Sequence, residues 1–172
     1  MTSDLVHLAN RTHNFKIQTP DNQHLGAWFV LSDSYYHSLP NTRIPQDNIT
    51  ERIREALAQR PVILYLHGNG PTRAFSSRVQ QYQAFSTRLN ANVLAIDYRG
   101  FADSTGGERP SQEGLTVDAI SAFEWLIQNG KKEEDILVVG HSLGTGVAGQ
   151  LGKKLGIDGR RCKGIVLLAV GS

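Results

Sequence analysis

Four short, nearly continuous apolar runs constrain this chain more than any other feature. They are Val62-Ile-Leu-Tyr-Leu66, Asn92-Val-Leu-Ala-Ile-Asp97, Ile136-Leu-Val-Val139 and Gly164-Ile-Val-Leu-Leu-Ala-Val170. Runs this short, without polar alternation, are the mark of strands buried on both faces. Between them lie segments with helical spacing. Phe75 to Leu89 is one, and Ser111 to Gln128 is another, with Leu115, Ala119, Ala122, Phe123 and Leu126 on one face. A third carries Leu143, Val147, Leu151 and Leu155 at spacings of four. Parallel neighbours need crossover helices, so the pattern predicts an α/β protein: a mostly parallel sheet with helices on both faces.

The opening residues follow a different rule. Phe15-Lys-Ile-Gln-Thr19 alternates, Pro20-Asp-Asn-Gln23 has turn chemistry, and His24 to Leu31 is again apolar. Together they predict an antiparallel hairpin at the sheet edge. Pro40 to Pro45 reads as loop. Asn48-Ile-Thr-Glu51 reads as a capping box ahead of a helix whose stripe is Ile49, Ile53 and Leu57, and Pro61 stops it. The expected organisation is one domain over residues 1–172, with hairpin and helix in 1–60 and the repetitive core in 61–172.

Lysine and arginine (18) exceed aspartate and glutamate (16) by two among 172 residues, and the excess is spread out. It marks no nucleic-acid surface. The single cysteine, Cys162, rules out an internal disulfide and reads as an inert thiol. Asn10-Arg-Thr12 and Asn48-Ile-Thr50 match the glycosylation acceptor pattern, which matters only in a secreted protein. The N-terminus lacks the basic-then-apolar order of a signal peptide, and no run approaches the roughly 18 apolar residues of a membrane span. The expectation is a chain without an integral membrane segment, cytoplasmic or peripheral to an intracellular membrane. Oligomeric state is left open.

Chemistry concentrates in Gly140-His-Ser-Leu-Gly144, between a predicted strand and a predicted helix. A serine on such a sharp turn needs glycines around it, because a side chain there would strike the neighbouring strand or helix. The turn also places the amides that follow it at a helix N-terminus, where an oxyanion is stabilised. A rival pattern overlaps it: Gly144-Thr-Gly-Val-Ala-Gly149 spells the dinucleotide fingerprint. That motif begins at the strand end and wants a carboxylate about 20 residues on. Here it starts late, and Leu168-Ala-Val-Gly-Ser172 offers no acid, so the small residues read as close helix packing.

Two further segments follow strands. Leu66-His67-Gly68-Asn69-Gly70 has the glycines to turn backbone amides toward such a serine. His67 reads as a loop-shaping residue, and Asn69 as one whose side chain braces the turn. Asp97-Tyr-Arg-Gly-Phe-Ala-Asp-Ser104 sits where α/β ligands bind, and Asp97, Arg99 and Asp103 could form a charged site there, but they read chiefly as residues that tie the loop down by hydrogen bonds and ion pairs. Tyr98 and Phe101 either line a pocket or pack.

In that order and spacing, Leu64-Tyr-Leu-His-Gly-Asn69, Ala95-Ile-Asp-Tyr-Arg-Gly-Phe-Ala-Asp-Ser104 and Gly140-His-Ser-Leu-Gly-Thr-Gly-Val147 resemble the α/β-hydrolase superfamily, from about Pro61 to Val170. They are most similar to its abhydrolase domain-containing type 12 group of monoacylglycerol and lysophospholipid lipases. The resemblance implies an α/β-hydrolase fold present through about its sixth strand. It implies a serine esterase acting on a small acyl ester, with Ser142 as nucleophile and the backbone amides of Leu143 and Asn69 as oxyanion donors. Gly140, Gly144 and Gly68 would be the elbow and loop glycines, and neither metal nor organic cofactor is implied.

The same resemblance exposes a gap. The superfamily orders its triad as serine, acid, histidine. Here the six histidines, His7, His13, His24, His37, His67 and His141, all precede Ser142, and the only later acid, Asp158, belongs at the far end of the following helix. The elbow's turn should aim His141 away from the serine hydroxyl. The sequence is therefore expected to be a truncated hydrolase chain, inactive alone and exposing its last strand. The alternatives are a non-catalytic ligand-binding or regulatory module, or a base supplied by another chain.

Overall fold

A computed structural model describes residues 8, 10–40, 49–70, 72–107 and 111–169. Its strands are β1 (Thr12–Gln18), β2 (His24–Val30), β3 (Val62–Leu66), β4 (Asn92–Ile96), β5 (Ile136–His141) and β6 (Gly164–Leu168). Its α-helices are α1 (Asp33–Ser38), α2 (Ile49–Gln59), α3 (Ser76–Arg88), α4 (Gln112–Gln128) and α5 (Leu143–Ile157). The strands form one six-stranded sheet in the order β1-β2-β4-β3-β5-β6. β1 and β2 pair antiparallel, as does β2 with β4, and all other pairs are parallel. The hairpin thus lies at one edge and the mostly parallel core follows, as the patterning predicts.

The apolar runs lack alternation because both faces of each strand are covered. On one face, Leu25, Ala27, Phe29, Val62, Leu64, Leu66, Leu94, Ile96 and Val138 pack against residues of α2, α4 and α5, among them Leu57, Phe123 and Leu151. On the other, Val30, Ile63, Tyr65, Val93, Ala95 and Val139 pack with Val79 and Tyr82 of α3. Neighbours in sequence go to opposite clusters, which is the strand period of two concealed in a continuous run. β3 sits centrally, with Leu64 opposite both Leu94 of β4 and Val138 of β5. The chain goes to one side of β3 for β4 and to the other for β5. That reversal makes a topological switch point at the carboxyl ends of β3 and β5, the position where ligands bind α/β sheets.

Some boundaries differ from those expected. β5 runs past the apolar residues to His141, so the strand leads straight into the serine turn. β6 is a strand to Leu168, and Val170 lies outside the described residues. Ser111 caps α4, its hydroxyl accepting from the Gly114 amide. The expected cap at Asn48 and most of the Pro40–Pro45 loop fall outside the described residues. α1 was not anticipated: six residues holding Tyr35 and Tyr36 inside the core are too few to show periodicity.

Candidate active site

Ser142 is the hinge between β5 and α5, and its backbone is at φ 51°, ψ −115°. A non-glycine residue held at positive φ costs on the order of 1–3 kcal/mol and persists only where its surroundings enforce it. Here the Ser142 amide donates to the Leu168 carbonyl of β6 at 3.0 Å, and the Ser142 carbonyl accepts from the Thr145 amide at 2.9 Å and hydroxyl at 2.6 Å. The three glycines explain how backbone closes in from every side. A Cβ on Gly144 would lie inside the Leu66 carbonyl, and one on Gly140 would collide with the Gly144 carbonyl. A Cβ on Gly68 would stand 2.9 Å from the Ser142 Cβ. The end of β3, the loop after it and the start of α5 therefore meet at the serine.

Leu143 is the first residue of α5, so its amide has no carbonyl four residues back within the helix to donate to. Among the described residues the Ser142 hydroxyl takes part in no hydrogen bond. His141 lies with its ring Nδ1, buried and without a partner, against Gly68. Asp158 caps the far end of α5, accepting from Lys154 at 2.8 Å.

The loop after β3 is built around His67, which is wholly buried. Its Nδ1 lies 2.7 Å from the Gly68 carbonyl, which can only accept, so that nitrogen carries the proton. Its Nε2 lies 3.1 Å from Asp97 Oδ1 but off the line of a good hydrogen bond. The ring packs against Tyr98 and Phe101 at centroid distances of 4.6 and 5.6 Å, and the Tyr98 hydroxyl donates to the His67 carbonyl at 3.0 Å. His67 thus bonds within its own loop and also reaches Asp97 beyond it. Asn69 Oδ1 accepts from the Gly70 amide at 3.0 Å, closing the turn.

The charged residues after β4 are all engaged. Asp97 accepts from the backbone amide and the guanidinium of Arg73, which also meets Asp103 at 2.6 Å and Asn14 at 2.8 Å. Burial lowers the Arg73 pKa, but its bonds to Asp103 and Asp97 outweigh that and raise it above its ordinary value. In return Arg73, then Lys16, hold the Asp103 carboxyl far below the usual range. Arg99 pairs with Asp118 at 2.8 Å and with Asp21 at 2.6 Å. The Arg99 hydrogen bond, helped by Thr19, holds Asp21 at about 2. These acids are ties, each already holding a cation.

Sequence reasoning missed the partners of these residues, Arg73, Lys16 and Asp118. Arg73 and Asp118 meet partners 24 and 19 residues away, and nothing local marks them. Arg78 had a signal: it falls with Val79 and Tyr82 among the buried residues of α3, where a charge is out of place. No group of three or more His, Cys, Asp or Glu among the described residues is placed to hold a metal. No helix among them is long and apolar enough to cross a membrane.

A crossover sheet whose central strands deliver a strained serine and a glycine loop to one point has the form of a hydrolase-type α/β protein. The family model for the alpha/beta hydrolase fold matches residues 61–170, and the chain belongs to that family. It is 38% identical over 148 residues to the lysophosphatidylserine lipase ABHD12 of Danio rerio, a match covering 85% of this chain and 36% of that protein. To protein ABHD12B of Homo sapiens it is 38% identical over 164 residues, covering 92% and 41%. The expected similarity to the abhydrolase type 12 group therefore holds, and the chain spans little more than a third of these relatives. Among solved structures it superposes on esterase Est22 with a TM-score of 0.65 at 15% identity, covering 90% of this chain and 42% of that one. Brefeldin A esterase, a bacterial homologue of human hormone sensitive lipase, gives 0.63 at 16%, covering 90% and 38%. At such identities these two speak for the fold alone.

Proposed function

We propose that this chain carries the nucleophile and the oxyanion site of a serine hydrolase for carboxylic esters of a lipid-like, single-acyl kind, such as a monoacylglycerol or lysophospholipid. The observation that carries the reading is Ser142: a strained serine at a strand-to-helix turn, with Gly68 against its Cβ and a free helix N-terminus beyond it. The choice of a lipid ester rests on similarity to the lysophosphatidylserine lipase. We treat residues 1–172 as one partial hydrolase domain acting in the cytoplasm, or by peripheral contact with an intracellular membrane.

In the reaction, Ser142 Oγ adds to the ester carbonyl carbon and gives up its proton. The carbonyl oxygen becomes an oxyanion held by the amides of Leu143 and Asn69. Collapse expels the alcohol, which takes a proton, and leaves an acyl-serine that water hydrolyses to the acid. Each oxyanion donor contributes about 3 kcal/mol of barrier lowering. A base must take the serine proton, and His67 and the acids around it are committed elsewhere. The 172 residues alone should therefore turn over ester slowly, and free imidazole should accelerate them.

The test measures p-nitrophenol release from an acyl ester by this chain, with and without imidazole, against Ser142→Ala. Imidazole-dependent turnover that vanishes in the variant is expected. Equal rates for the two proteins would sink the esterase reading. They would favour a non-catalytic ligand-binding module instead, a reading suggested by the unpartnered serine hydroxyl.

A further inference from the structure

Arg78 is an anomaly with no part in the ester chemistry itself. It projects from α3 into the interior at 4% exposure, yet it forms no ion pair with a carboxylate among the described residues. A buried charge without a counter-ion is costly and is retained where something else requires it. Its hydrogen bonds say what. One terminal nitrogen donates to the Gly68 carbonyl at 2.9 Å and to the Asn69 carbonyl at 3.1 Å, and the other donates to the Thr72 carbonyl. The ring of Phe75 covers the guanidinium at 5.7 Å. Gly70, at φ +131°, lets the loop close over it, since a Cβ there would stand 3.0 Å from the guanidinium nitrogen.

The Gly68 carbonyl also lies on His67 Nδ1, so two donors fix one oxygen. That oxygen belongs to the same planar peptide as the Asn69 amide, and in a trans peptide the N–H points opposite to the C=O. Fixing the carbonyl on the interior side therefore turns the Asn69 N–H outward. Gly68, at the start of that peptide, lies so near Ser142 that a Cβ on it would stand 2.9 Å from the serine Cβ. A cation on the carbonyl end also polarises the peptide and strengthens its N–H as a donor.

We propose that Arg78 is a positioning residue: its buried guanidinium holds the Gly68–Asn69 peptide so that the Asn69 amide faces the oxyanion formed at Ser142. The proposal rests on the esterase reading for its chemistry, but its geometry can be tested without it. Two measurements on the 172-residue chain decide it, using Arg78→Ala and the milder Arg78→Gln, each checked for a native circular dichroism spectrum. First, nitrogen relaxation of the Asn69 amide should fall from an order parameter of about 0.85 to below about 0.6 in the variants. Second, the rate at which a fluorophosphonate labels Ser142 in the presence of imidazole should drop about 100-fold, the effect of one lost oxyanion donor. Millimolar methylguanidinium should restore much of that rate in Arg78→Ala, which a merely structural residue would not allow. An Asn69 amide equally ordered in the folded variants, or labelling within twofold of the parent, overturns the proposal. If the parent chain takes no label at all, it is the esterase reading that fails, and the Asn69 amide alone decides the role of Arg78.

Discussion

At the scale of single residues, the site is made by what is left out. Gly144 leaves room for the Leu66 carbonyl, and without that room α5 could not start beside β3. Gly144→Ala should therefore cost about 1–3 kcal/mol, as overpacking a tight contact does. Gly146, two residues further along the same helix and facing open space, is the control. Gly146→Ala should raise stability by about 0.5–1 kcal/mol, because a helical glycine loses more backbone entropy on folding. Urea melts of both variants check the pair, and equal effects would mean that the Gly144 contact is slack. Asp21 makes a pH prediction. Its folded pKa of about 2 lies below its ordinary 3.8, so the unfolded chain binds its proton first as pH falls. The stability it adds is present above pH 3.8 and lost toward about 2. Asp21→Asn should flatten the stability curve in that window and leave the neutral region nearly parallel to the parent.

At the scale of elements, the apolar runs made β3, β4 and β5 readable because burial on both faces leaves no other pattern. The serine turn was readable because its glycines are forced by backbone contact. Arg73 was not, since it acts on carboxylates that only folding brings near, and Arg78 was marked only by its place among the buried positions of α3. His67 was half legible: its bond to Gly68 is local, whereas its approach to Asp97 spans two strands. β6 is paired by β5 alone among the described residues, and Ile165, Val166 and Leu167 are 36%, 41% and 54% exposed. An apolar strand edge of this kind templates association. Ile165 faces α5, where it meets Gly152, and Val166 points to the opposite face. Val166→Lys should leave the melting temperature nearly unchanged and raise the concentration at which the chain begins to scatter light. Unchanged scattering would mean that association does not pass through β6.

At the scale of the whole molecule, the fold carries two arrangements toward one point. The sheet reversal at β3 brings the His67-Gly68-Asn69 loop and the Ser142 turn together, and Arg78 of α3 donates to the Gly68 and Asn69 carbonyls of that loop. If that point is a nucleophilic centre, as proposed, Ser142 must react with an electrophile aimed at serine. Intact-protein mass spectrometry after incubation with a fluorophosphonate and imidazole tests it most directly. A single adduct that maps to Ser142 and disappears in Ser142→Ala is expected. A folded chain that gains no mass, or gains it equally in the variant, would contradict it.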